Sequence, residues 1–270
     1  CACRSGGSTP RSRWMGSFRS RLDRFFVAAP DPGRVGWLRN WTFAHRGLHR
    51  EGVPENSLAA FSGAIDRGMG IECDIQRSRD HAAMLVHDWE LERLTGVTGP
   101  TAGYSAEELA QIAFLDSEHR LARLDDLLAL VDGAVPLLIE IKSRRRYDVE
   151  QSCIAVRDAL VGYRGRHAVM SFDPRVARWF RRHAPDIVRG LVVREDAHGM
   201  TQQAWQRHLA LWVARPEFIA YHVAALPSPM VSSLRAGGMP VLTWTVNTPE
   251  LLAHARSHAD APIAEGAGVP

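Results

Sequence analysis

Ala44-His45-Arg46-Gly47 closes a short apolar run that begins at Trp41, and the glycine then breaks the strand. Two further strand-like runs follow. Gly70-Ile71-Glu72-Cys73-Asp74-Ile75 carries two acids, and Ala83-Met84-Leu85-Val86 runs into His87-Asp88. A fourth run, Pro136-Leu137-Leu138-Ile139-Glu140-Ile141-Lys142, also keeps its charges near its end. Side chains alternate along a strand, so Glu72 and Asp74 share one face and Cys73 points to the other. Strands that carry reactive side chains at their C-terminal ends describe the active-site face of a (β/α) barrel.

Outward from this block, helical and strand patterns alternate to the C-terminus. Pro54-Glu55-Asn56-Ser57 opens a helix, capped by Asn56 or Ser57, with Leu58, Phe61 and Ile65 at helical spacing. Further helices are expected from Ser105 (a capping-box pattern) and over 124–131, 149–161, 174–183, 202–213, 228–236 and 249–257. Strands are expected over 167–172, 187–193, 218–223 and 241–246. Such alternation means a parallel sheet. A count of eight strands points to an α/β fold of the TIM-type (β/α)8 barrel class. The link from Asp74 to Ala83 is too short for a crossover helix, so the barrel is expected to be irregular between strands 2 and 3. No glycine-rich dinucleotide or phosphate loop follows the first strand, which disfavours an open sheet.

Composition agrees with an enzyme of one large domain. The chain has 270 residues, 46% hydrophobic and 23% charged, and eight βα units take roughly 250 residues. A net charge of +3 gives no reason to expect nucleic acid. Four cysteines without metal-type spacing read as free thiols in a reducing compartment, hence a cytoplasmic protein. No apolar stretch approaches the roughly 20 residues of a membrane span, and residues 25–29 are too short for a signal-peptide core. The chain opens on Cys1, and Met15 is the expected native start. Residues 1–36 read as a basic N-terminal arm and 37–270 as the barrel domain. Eight arginines lie in the first 40 residues against Asp23 and Asp31. Residues 17–27 have an amphipathic pattern, with Phe18, Leu22, Phe25 and Phe26 on one side. That pattern suits peripheral contact with an anionic membrane. A helix packed on the barrel floor, or a frayed tail, is the favoured reading.

Glu72 and Asp74 repel each other on one face unless a cation or a proton sits between them. With Glu140 they offer three oxygen donors, which suits Mg²⁺ or Ca²⁺. Zinc would recruit histidine or thiolate. The plainer alternative is an ion-pair network with Arg46 and Lys142. His45 and His87, at two strand ends, are candidates for general acid and base. Arg46 offers a planar fork for phosphate oxygens. Together these groups describe phosphate-ester hydrolysis of a small molecule better than carbonyl chemistry. No Gly-x-Ser-x-Gly elbow occurs.

His45-Arg46-Gly47, Pro54-Glu55-Asn56-Ser57, Glu72-x-Asp74 and His87-Asp88 with Leu91 and Arg93, in this order and spacing, resemble the glycerophosphodiester phosphodiesterase family. The resemblance continues through Glu140-Ile141-Lys142, Ser171-Phe172 and Trp244-Thr245-Val246-Asn247, and spans about residues 41–266. It implies a TIM barrel that cleaves glycerophosphodiesters to an alcohol and a phosphomonoester. It implies that His45 and His87 are the catalytic pair, with Arg46 holding the phosphate, Lys142 supporting it and Trp244 walling the site. Glu72, Asp74 and Glu140 would bind the divalent cation. Departures are Ser57 for the usual Thr, and Ala264-Glu265 where the family has Thr-Asp. The span between His87 and Glu140 is too short for the insertion domain of some members. Two other functions fit the same residues. One is phospholipase D-like hydrolysis of lysophospholipids, which the aromatic arm and eight tryptophans would suit. The other is a non-catalytic barrel that binds a phosphorylated ligand. Of the two histidines, His87 is expected to be the acid.

Overall fold

The structure, a computed structural model, describes residues 27–144, 146–196 and 201–270. Most of the amphipathic pattern over 17–27 lies outside the described residues. Nine strands form one sheet: β1 (Phe43–Ala44), β2 (Gly70–Arg77), β3 (Ala83–Leu85), β4 (Leu137–Ile141), β5 (His167–Ser171), β6 (Val188–Val193), β7 (Phe218–His222), β8 (Val241–Val246) and β9 (Ala261–Ala264). The run β2-β4-β5-β6-β7-β8-β9 is parallel throughout. β1 pairs in parallel with both β2 and β9 and so closes a ring of eight.

The barrel is as expected, but its membership is not. β3 lies outside the ring, antiparallel to the end of β2, with Gln76 opposite Met84. The short link decides this: a tight turn can join antiparallel strands, whereas a parallel return needs a long crossover. Ser78 closes that turn, donating its hydroxyl to Asp80 at 2.6 Å and accepting from the Ala82 amide at 2.9 Å. The eighth ring strand is β9, which the sequence pattern missed. Helices fall close to their expected places. Ser105 makes a full capping box with Glu108, and Leu124–Val131 and Pro174–His183 keep their expected bounds.

The alternation of β-strands separates two cores. Ile71, Cys73, Ile75, Leu137, Ile139 and Val169 point outward and pack against the helices. Phe43, Leu138, Ala168, Met170, Val192, Phe218, Leu242 and Ile263 fill the lumen. Two lumen positions are glycine because rings occupy the space. A Cβ on Gly70 would lie 2.5 Å from the Phe43 ring, and one on Gly190 would lie 2.3 Å from that of Phe218.

The floor of the barrel is sealed by Pro32–Val35 and the 3₁₀ turn Gly36–Asn40. Val35 and Leu38 are fully buried in the lumen cluster. Arg34 reaches Glu217 at 2.8 Å and Arg39 reaches Asp260 at 2.8 Å, pinning the floor to β7 and β9. Residues 27–36, read from the sequence as the end of the arm, therefore pack on the body, Val27 included. With the floor shut, the C-terminal mouth is where the lumen opens. Leu38→Ala removes a fully buried side chain from the floor and should cost about 2–5 kcal/mol in urea unfolding. A loss below about 1 kcal/mol would mean that the floor does not seal the core.

Candidate active site

The first strand ends at Ala44, and the next turn builds one side of the mouth. His45 continues the ladder, its amide donating to the Ala264 carbonyl at 2.9 Å. Arg46 then takes a left-handed conformation at φ 55°, uncommon for a residue with a side chain. This turns its amide onto Glu72 Oε2 at 3.0 Å. Gly47 follows at φ 79°, where a Cβ would lie 2.8 Å from the Ala60 backbone. The turn can therefore press against the helix Leu58–Asp66 only through glycine. Ser57 caps that helix, accepting from the Ala60 amide at 3.2 Å. Asn56, the other cap candidate, has a different task. Its amide donates to the Arg46 carbonyl at 2.9 Å. Its side chain donates to Asp74 Oδ2 at 3.0 Å and accepts from the Asp74 amide at 3.1 Å.

Glu72, Asp74 and Glu140 are buried, and one donor atom from each lies within 4.8 Å of the others. The ion-pair network and the candidate cation site coexist here. Lys142 Nζ sits 2.8 Å from Asp74 and 2.7 Å from Glu140, and Arg46 Nε lies 3.2 Å from Asp74. Glu72 has no arginine or lysine partner among the described residues. Burial, reinforced by the charge of Asp74, pushes its pKa up to about 8. Burial acts on Asp74 too, but Lys142, His87 and Arg46 outweigh it and hold Asp74 well below the usual carboxylate range. Three convergent oxygen donors without thiolate or imidazole fit a hard divalent cation.

Each of the two histidines carries a carboxylate on Nδ1. His45 Nδ1 lies 2.6 Å from Glu265 Oε2, and His87 Nδ1 lies 2.7 Å from Asp88 Oδ1. This leaves Nε2 of each ring for chemistry, and both residues line one cavity. The two pairs are unequal. Glu265 also meets His49, at 3.4 Å, but no arginine among the described residues. Asp88 is shared with Arg93, which bonds Glu55 at 2.7 Å, and Glu55 in turn bonds Arg46 at 2.9 Å. Burial opposes charge on His45, yet the Glu265 bond and the charge of Glu72 raise its pKa. Burial lowers that of His87; Asp74 resists, while Lys142 and Arg46 add to the fall. These influences favour the protonated form of His45 and the neutral form of His87. His45, His49 and Glu265 also cluster as possible metal donors, but Glu265 already bonds both imidazoles.

All eight residues singled out from the sequence, His45, Arg46, Glu72, Asp74, His87, Glu140, Lys142 and Trp244, line a cavity of about 270 Å³. Trp244 is fixed by its indole N–H on the Ala220 carbonyl at 3.1 Å and by edge contact with Phe172 at 5.3 Å between centroids. The cavity continues into a groove of about 860 Å³ that shares His87, Glu140, Lys142, Phe172 and Arg194. Sequence reasoning missed the supporting residues. Glu55, Asn56, Asp88 and Arg93 stand inside the quoted motifs, and only their roles were illegible. Arg194, just past β6, carried no signal beyond its place at a strand end.

The profile of the glycerophosphoryl diester phosphodiesterase family matches residues 45–269. A glycerophosphodiester phosphodiesterase of Caldanaerobacter subterraneus subsp. tengcongensis is 27% identical over 224 residues, 79% of this chain and 88% of that protein. Among solved structures, a phosphodiesterase of Oleispira antarctica in complex with the product sn-glycerol-3-phosphate is similar with a TM-score of 0.72. It is 24% identical and covers 83% of this chain and 92% of its own. A glycerophosphodiester phosphodiesterase of Thermotoga maritima has a TM-score of 0.68 at 24% identity, over 83% and 93% of the two chains.

The raised pKa of Glu72 makes a testable link to stability. Between the ordinary value of 4.5 and about 8, the folded chain holds a proton that the unfolded chain has lost. Stability should therefore fall as pH rises through that window. In EDTA, the melting temperature should drop from pH 6 to pH 9, and Glu72→Gln, which keeps the shape without the charge, should remove much of the slope. Equal slopes in both proteins would contradict this account of Glu72.

Proposed function

Because the chain belongs to the glycerophosphoryl diester phosphodiesterase family and is a phosphoric diester hydrolase acting on glycerophosphodiesters, we propose a division of labour within its cavity. Glu72, Asp74 and Glu140 hold a divalent cation, Mg²⁺ or Ca²⁺, and His45 and His87 move the protons. One observation carries this reading: three buried carboxylates share a cavity with two imidazoles, each oriented by a carboxylate on Nδ1.

Arg46 and Lys142 line the cavity and bind the phosphate oxygens, while Phe172 and Trp244 form the wall against which the glycerol lies. The cation, when bound, supplies positive charge against the charge that develops on the phosphoryl oxygens. His87, neutral, accepts the proton of the attacking hydroxyl, from water or from the glycerol itself. His45, charged, donates its proton to the departing alkoxide, which leaves as the alcohol. Attack by water gives glycerol phosphate directly, whereas attack by the glycerol's own hydroxyl gives a cyclic phosphodiester that a water must then open, with the two histidine roles exchanged, to reach glycerol phosphate. The assignment rests on Glu265, which lies outside the acid trio and holds the His45 proton whether or not Glu72 is neutralised. The product complex of the Oleispira antarctica protein supports placing a glycerol phosphate in the cavity. Membership of a hydrolase family sets aside the non-catalytic barrel, and no feature of the cavity favours a lysophospholipid over a glycerophosphodiester.

The leaving group separates the two histidine roles. Each alanine variant should lose roughly 10²–10⁴-fold on glycerophosphocholine. On an aryl diester, whose p-nitrophenolate hardly needs a proton, His45→Ala should recover much of its rate and His87→Ala should not. Activity of the wild type on both substrates should vanish in excess chelator and return with Mg²⁺ or Ca²⁺. Equal losses for both variants on both substrates, with folding intact, would refute the acid/base division. Recovery by His87→Ala alone would reverse it.

A further inference from the structure

The helix Ala204–Ala214 has two faces of different character. Ala210, Leu211 and Ala214 are buried in the apolar cluster over β6 and β7. On the other side Trp205 is 65% exposed, Leu209 49% and Trp212 51%. Steps of four and three residues place them on one stripe. Among the described residues the large exposed hydrophobics number six, and half of them stand on this stripe. The feature is a concentration, since single exposed hydrophobics are ordinary.

The stripe lies beside unpaired positive charge. The helix Pro174–His183 packs against Ala204–Ala214. Arg178 and Arg182 are exposed on it, Arg181 is half-buried, and Arg215 is exposed just past the end of the tryptophan-bearing helix. Besides its own burial, Arg181 feels the repulsion of Arg215, Arg182 and Arg178, so the four guanidiniums are neighbours. None of the four pairs with a carboxylate among the described residues. Of the acids near these helices, Asp173 is engaged by Arg175, Glu217 by Arg34 and Arg189, and Glu195 by Arg207, while Asp186 acts on Arg34.

We propose that this two-helix face docks on an anionic lipid bilayer. Tryptophan favours the interface between headgroups and acyl chains, where its ring is apolar and its N–H stays wet. A helix with an apolar stripe and a basic flank is the standard element for lying on such a surface. Four arginines without a carboxylate partner among the described residues repel one another, and phosphate headgroups would offset that repulsion. Leu209 between the two indoles argues for hydrocarbon rather than nucleic acid, because an aliphatic chain offers no ring for a base to stack on. Thr201, just before the helix, lines the groove that continues from the catalytic cavity. A docked molecule would therefore hold that groove near the lipid surface. On the proposed function this location has a purpose: a glycerophosphodiester is what remains when a phospholipid loses its acyl chains, a deacylation that happens at the bilayer.

Co-sedimentation of the full chain with vesicles tests the proposal. The protein should pellet with phosphatidylcholine vesicles that contain phosphatidylglycerol and stay in solution with phosphatidylcholine alone. Salt should weaken binding, since headgroup attraction is screened within about one Debye length, ~8 Å at physiological ionic strength. Trp205→Ser/Trp212→Ser and Arg178→Gln/Arg182→Gln/Arg215→Gln should each lose most of the bound fraction. Both should hydrolyse a soluble diester at the wild-type rate. The N-terminal arginines remain in both variants, so binding that survives in either would overturn the proposal and assign the contact to another part of the chain. Absence of wild-type binding, or preference for duplex nucleic acid over vesicles, would overturn it too. If a variant fails to fold, quenching of the wild-type tryptophan fluorescence by brominated lipid decides: quenching supports the face, and its absence overturns it. Vesicle binding does not require turnover, so a failure here is distinct from a failure of the catalytic reading.

Discussion

Mutual repulsion among Glu72, Asp74 and Glu140 is the constraint to which the mouth of the barrel is built. Three carboxylates buried within 4.8 Å of one another are costly unless each is given a partner. Lys142 bridges two of them, the Arg46 guanidinium and the Asn56 amide hold Asp74, and the Arg46 backbone N–H turns onto Glu72. The left-handed conformation at Arg46 accompanies that last contact, and Gly47 beside it is required by its own positive φ and by the closeness of the Ala60 backbone. Even so, compensation is incomplete. Glu72 is left facing its neighbours with one backbone donor, and its proton affinity rises accordingly. A cation among the three donors would relieve that repulsion, and their convergence fits one.

The histidines complete the same plan with an asymmetry. Both are oriented through Nδ1 by a carboxylate, but Asp88 divides its charge with Arg93 while Glu265, among the described residues, pairs only with the imidazoles of His45 and His49. The Glu at 265 is one of the departures from the family pattern. It stands just past the end of β9, bonds His45 and approaches His49. The Ala264 beside it has its carbonyl in the ladder to His45, a role that needs no side chain. At this rim Glu265 supports His45 through its side chain, and Ala264 joins the ring closure through its backbone.

What was legible in the chain follows physical lines. Apolar runs that end in charge were readable because period-two alternation and strand-end polarity are local properties. Hence β1, β2 and β4 and eight of the residues that line the cavity could be placed. β9 was not, because Ala-Pro-Ile-Ala is four residues long and includes a proline; it is a strand only because β8 and β1 flank it. The run at Ala83–Leu85 was rightly a strand and wrongly a stave of the barrel, since the direction of pairing is set by the connecting turn and not by the strand's own residues. Asn56 illustrates the remaining gap. Its neighbourhood reads as a helix cap, and only the folded chain brings it 18 positions along to Asp74.

Burial leaves Glu72 a proton, its pKa pushed up to about 8, that a cation entering the acid trio must displace. Calorimetric titration of Mg²⁺ or Ca²⁺ into the chelator-stripped protein near neutral pH, in two buffers of different ionisation heat, measures how many protons leave as the ion enters. If the acid trio is the cation site, binding should release about one proton, because carboxylate ligands must be deprotonated to bind. Glu72→Gln should abolish the release and weaken the binding. Tight binding without proton release, or binding that survives Glu72→Gln unchanged, would show that the ion goes elsewhere and that the buried acids serve only the ion pairs around them.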